Sequence, residues 1–142
     1  MRSRTGYAIL VAGITAAIAP AGGSAGKSST PPKPSVVEGI LIDTKCYSVD
    51  RRNAGDDHGA GDDKIEACAT ACAKMGIPVA VLTGKGEVYI LLAPTPAFEE
   101  RMGKPVRVTG AKVFGGSAIR PEKVETHAED GSWTALDIHS MM

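Results

Sequence analysis

Aromatic residues are scarce in this chain: one Trp, three Tyr and two Phe make up 4% of 142 residues. A sheet that stacks bases or sugars on aromatic faces has little to work with. Net charge is lacking as well. Sixteen Lys and Arg offset sixteen Asp and Glu, which argues against the basic excess that marks nucleic-acid binding. No apolar run reaches the roughly 20 residues that a membrane-spanning helix needs. Hydrolytic machinery is missing too, with no Gly-x-Ser-x-Gly, no His-Glu-x-x-His and no two-carboxylate pattern. Cysteine is sparse and odd in number: with three, one disulfide would leave a thiol over. What the chain does have is 43% hydrophobic and 23% charged residues, the proportions of a folded domain rather than a disordered one.

Residues 1–25 read as a secretory signal peptide. Arg2 and Arg4 form a positive n-region, residues 7–19 an apolar h-region, and Ala19-Pro20-Ala21 or Gly23-Ser24-Ala25 a small-residue cleavage site. No Cys follows either site, which argues against a lipid anchor. The alternative is an uncleaved N-terminal anchor. Cleavage would remove two arginines and leave acidic residues ahead of basic ones, a further step away from anionic partners. Gly22 to Ser28 end in Gly-Lys-Ser like a phosphate-binding loop, but Ala21 stands where its first Gly belongs and no strand precedes it. Residues 26–35, with three prolines in four positions, read as an extended linker. A single domain is expected over 36–142, and no internal repeat is present.

From residue 36 the pattern is mostly strand. Strands are expected at 36–43, 79–82, 88–92, 106–114, 118–127 and 133–138, separated by Gly-rich turns, with a bulge or bend at Gly39. One or two helical turns are expected over 97–102. The fold class implied is mainly β with one short helix, an OB-like small β-barrel, with an α+β roll as the alternative. Trp133 is expected to pack over a barrel end.

The one helix expected, 64–75, is where the chemistry gathers. Asp63 and Glu66 suggest a capping box, and Gly76 followed by Pro78 suits its end. Ile65, Cys68, Cys72 and Met75 then form one stripe, with Cys68 a turn or more inside the helix. Cys68 and Cys72, four apart, share one face, and Cys46 closes the first strand. With His58 they give C-x11-H-x9-C-x3-C, a set of three cysteines with or without the histidine, suited to Cu(I) or Zn(II). Met75 could add a thioether. Two other readings stand beside this one. A Cys46–Cys68 disulfide would close the polar loop between them, worth on the order of 3 kcal/mol, and leave one thiol spare. Thiol–disulfide exchange is the third, although C-x-x-x-C lacks the C-x-x-C geometry.

Asp56, Asp57, Asp62 and Asp63 could together face a hard cation such as Ca²⁺, but EF-hand spacing is absent and a solvated, flexible loop is the plainer reading. Asp43 and Glu38 stand on a strand without a paired acid. His127 and the terminal His139-Ser140-Met141-Met142 are weaker candidates for copper capture.

Several segments together carry a resemblance: Gly39-Ile40-Leu41-Ile42-Asp43-Thr44-Lys45-Cys46-Tyr47, a loop His, Cys68-Ala69-Thr70-Ala71-Cys72, Gly76-Ile77-Pro78-Val79, Gly86-Glu87-Val88-Tyr89, and 103–110. Over about residues 36–126 the chain resembles a group of small exported bacterial OB-fold-like proteins of uncharacterised function. In that pattern the His stands nearer the first helix Cys than here. The resemblance implies export and an OB-like fold. The expectation is therefore a secreted or periplasmic cell-envelope domain, not an enzyme, with a soft metal ion or an envelope protein as partner. No nucleic acid and no membrane span after cleavage are expected.

Overall fold

In the computed structural model, residues 33–59, 64–128 and 130–138 are described. The expected signal peptide and most of the expected linker lie outside them, although Ser35 already belongs to the first strand. Six strands fall close to the expected positions: β1 (Ser35–Asp43), β2 (Val79–Leu82), β3 (Val88–Leu91), β4 (Pro105–Val113), β5 (Ala118–His127) and β6 (Trp133–Leu136). β1 pairs antiparallel with β2 through its second half and with β4 through its first half. Gly39 sits at that division, where a Cβ would collide with the Leu82 carbonyl oxygen. Only glycine admits so close a backbone approach.

β2 continues antiparallel to β3, β4 to β5 and β5 to β6. A short parallel pairing, Ile90 with Ala118 and Leu91 with Ile119, joins β3 to β5. Five strands thus close into a ring of hydrogen bonds, β1-β2-β3-β5-β4, with β6 added outside β5. The register slips by one residue at Thr109/Gly110. The extra residue, Glu122, lies on β5, and the buried positions of that strand change phase across it, from Ile119 and Pro121 to Val124 and Thr126.

The ring encloses Leu41, Val79, Val81, Val106, Val108, Ile119 and Val124. Phe98, from a 3-10 helix over Thr95–Arg101 that takes the place of the expected helical turns, is fully buried among them. Trp133 is only half-buried, with the Arg107 guanidinium 4.3 Å above its ring and His127 edge-on to it. The fully buried residue near the chain's end is Ile138.

Among the described residues there are two α-helices rather than one: α1 (Thr44–Val49) and α2 (Cys68–Lys74). Both lie at the end of β1, where Leu41, Ile42 and Asp43 are consecutively and completely buried. Leu41 faces the main core, while Ile42 packs with Tyr47 and Ala80 on the opposite side. A strand covered on both faces shows no alternation, and its terminal carboxylate goes inside with it. Among the described residues no helix is long and apolar enough to cross a membrane.

Candidate metal centre

The site begins where β1 stops. Asp43 is the N-cap of α1, its Oδ1 accepting from the Cys46 backbone N–H at 2.8 Å. The Cys46 carbonyl in turn accepts from the Asp50 N–H and the Asn53 side-chain amide. Cys46 is therefore in the first turn of a helix, not at the end of a strand as its sequence context suggests. The six-residue α1 contains Tyr47 and Val49, whose β-like character hides the helix in the sequence.

The second element, α2, starts at Cys68, four residues later than expected. Cys68 is its first residue, not one lying a turn inside. The expected local cap does not form it. Ala67, in the left-handed region at φ 52°, occupies the N-cap with no side chain to offer, and Asp63 lies outside the described residues. The capping comes from the acidic loop instead. Asp57 Oδ1 accepts from the Ala67 N–H, Asp56 Oδ1 from the Thr70 N–H and the Asp56 carbonyl from the Ala69 N–H. These two carboxylates are spent on backbone N–H groups at the start of α2, so Asp56 and Asp57 are held rather than free, while Asp62 and Asp63 lie outside the described residues.

Gly103 fixes the same loop from below. Its φ is +72°, and a Cβ there would come within 2.7 Å of the Asp56 nitrogen. At the other end of α2, Ile77 N–H bonds to the Cys72 carbonyl and Gly76 N–H to that of Ala73, the pair that defines a Schellman stop. Ala69 and Ala73 seat the helix on the main core. Cys72 is buried and Cys68 half-buried. Ile65 and Met75 do not extend the stripe: both lie outside the helix, at 58% and 69% exposure.

His58 completes the cluster. Its backbone exchanges hydrogen bonds with Ile65 in an isolated bridge, and its ring is 4% exposed. Nδ1 lies 2.9 Å from the Gly55 carbonyl oxygen. A carbonyl can only accept, so Nδ1 carries a hydrogen, and in the neutral form of the ring Nε2 would be a bare lone pair. That atom stands 2.9 Å from Asp43 Oδ2, an ion-pair distance. Neither atom is aligned for a hydrogen bond, and neither finds such a partner among the described residues. Asp43 is 0% exposed. Two buried acceptors face each other, an arrangement that requires a cation or a proton.

The three sulfurs gather around this pair. Donor atoms of Cys46, His58 and Cys68 lie within 4.8 Å of one another, and so do those of Asp43, Cys46 and Cys72. All four residues expected as ligands are brought together, and all three cysteines are free thiols with no disulfide between them. Burial, then the Asp43 charge and the neighbouring sulfurs, push the Cys46 thiol up to about 12. Burial and Asp43 likewise raise Cys72. This is the reverse of an activated nucleophile, whose thiolate is stabilised by positive surroundings. A bound cation would supply the missing positive charge and release the protons.

Asp43 is the site residue that sequence reasoning missed. It does have a partner, the loop histidine rather than an acid. The only signal was its position directly after an apolar run and three residues before Cys46, the spacing of an N-cap. His127 is drawn to Trp133 at the far end of the sheet, while His139, Met141 and Met142 lie outside the described residues. Beside the cluster, Cys46 and Cys68 form part of the wall of an apolar cleft of about 360 Å³ that also includes Lys45, Val49 and Ile65. No protein-family model, curated protein or solved structure matches this chain.

Proposed function

We propose that this is an exported cell-envelope protein that binds a soft or borderline metal ion, zinc or copper, through Cys46, His58, Cys68 and Cys72. Asp43 joins them. The role is metal handling or sensing rather than catalysis, with a metal ion or an envelope protein as the partner. The observation that carries this reading is the buried face-off of His58 Nε2 and Asp43 Oδ2 beside three free thiols. A metal-ligating imidazole commonly donates its other N–H to a backbone carbonyl, which fixes the tautomer and the ring direction. His58 has that bond at Gly55. Export rests on the basic, then apolar, then small-residue order of residues 1–25. The closed ring of five strands, with β3 parallel to β5, is in keeping with an OB-like barrel, the fold that the resemblance implies.

The test is metal analysis of the protein purified from its native compartment, paired with a non-reducing mass measurement. Zinc or copper in stoichiometric amount, with three unlinked thiols after chelation, is the expected result. A metal-free protein with two of its three cysteines joined would overturn the reading.

A further inference from the structure

Five donors stand at the end of β1, one more than a tetrahedral ion accepts. They fall into two groups of three, and the division follows the fold. Each group takes one sulfur from α2, where Cys68 and Cys72 are a single turn apart. Each takes one member of the facing Asp43–His58 pair, and both contain Cys46. A thiolate sulfur has lone pairs to spare and can bridge a pair of ions. We propose that the centre is binuclear: two zinc-class divalent ions share the Cys46 thiolate, one held also by His58 and Cys68, the other by Asp43 and Cys72, each keeping a fourth position for water. This rests on the metal-binding reading above and adds the number and class of the ions.

Charge and polar satisfaction point the same way. Three thiolates and the Asp43 carboxylate bring four negative charges, which a pair of divalent ions neutralises and a single one only halves. Two Cu(I) ions would leave half the charge uncompensated and set a soft ion against a carboxylate, whereas zinc accepts sulfur, nitrogen and carboxylate oxygen together. One ion in the first group would leave the fully buried Asp43 Oδ2 without a partner, and one in the second would do the same to His58 Nε2. The two positions also differ in access. Cys46 and Cys68 are half-buried beside the apolar cleft, while Asp43 and Cys72 are buried behind them. The His58 ion is therefore the one that exchanges.

Titration of the purified, reduced protein with Zn(II), followed by native mass spectrometry, tests this directly. Saturation is expected at two equivalents, and a chelator is expected to remove the first ion at least tenfold faster than the second. Cys68→Ser and Cys72→Ser should each saturate at one equivalent, and Cys46→Ser should retain neither ion tightly. Cadmium-113 NMR of the unaltered chain keeps the proposal testable should Cys46→Ser fail to fold. Two resonances, both coupled to the Cys46 β-protons, are expected. Saturation at one equivalent, or two resonances without that shared coupling, overturns the binuclear centre and leaves the metal reading standing. Failure to bind zinc or cadmium overturns the binuclear centre, and failure to bind Cu(I) as well overturns the metal reading with it.

Discussion

The interior of the strand ring and the end of β1 are equally dry but differently satisfied. In the ring, Phe98, Leu41, Val79, Val81 and Ile119 belong to one apolar cluster, and their burial needs nothing from outside the chain. At the end of β1, Asp43 and His58 are buried just as deeply with polar atoms that the described residues leave unpartnered by hydrogen bonds. The first region is complete as folded. The second is complete only with a cation or a proton between the two groups. The contrast separates a core that stabilises the molecule from a site that draws on that stability, since uncompensated buried polar groups cost about 1–3 kcal/mol each.

Four perturbations test this contrast. The largest effect is expected in the ring: Phe98→Ala should cost about 3–5 kcal/mol, equally with and without added zinc, as read by urea denaturation. Next comes the metal itself. Zinc at about a hundred times its dissociation constant should raise unfolding free energy by about 2.7 kcal/mol, and Cys46→Ser should abolish most of that gain. An equal gain in the variant would move the site elsewhere. Asp56→Ala removes a cap that serves α2 from a distance and should cost about 1 kcal/mol. Because α2 carries Cys68 and Cys72, the same change should also weaken zinc affinity, measured by chelator competition. An Ala substitution at exposed Glu122 should do neither.

The last effect, spread over several pH units, concerns the metal-free protein. The Cys46 thiol is raised to about 12 in the folded chain, above its ordinary value of about 8.5. The folded state then holds a proton that the unfolded state gives up, so stability is fully present below about pH 8.5 and falls as pH rises toward 12. The difference in unfolding free energy between the native chain and Cys46→Ser should shrink across that interval. A difference that grew with pH would contradict the environment described for this thiol.

How far the sequence could be read divides along the same line. All six strands were legible because their signals are local: β-branched runs bounded by Gly, Pro and Asp turns, as in Thr83 to Glu87 between β2 and β3. The gathering of Cys46, His58, Cys68 and Cys72 was legible because cysteine and histidine carry their chemistry in their identity. The start of α2 was not. Asp63 and Glu66 offered a plausible local cap, whereas the actual cap is tertiary, supplied by Asp56 across an intervening segment. Asp43 was opaque for a related reason. Its partner stands fifteen positions away on a loop, and a strand-terminal Asp ordinarily faces water. Glycine told part of its story. Gly39 announced a bend, but nothing in the sequence showed that Gly103 would seat the site loop.

The closing of the ring by β3 and β5 sets the order in which the molecule can mature. All five donors lie between Asp43 and Cys72, whereas Ser35 must find Gly110, 75 residues away, before β1 is held on both sides. Contacts so distant along the chain form slowly, after most local ones. The donor segment can therefore meet an ion while still a flexible chelate, but α2 gains its seat on Ala69 and Ala73 only when the core beneath it exists. On the proposed metal reading, the finished geometry of the site waits for strand closure, so core substitutions that slow folding should delay the final, chelator-resistant protection of the thiols.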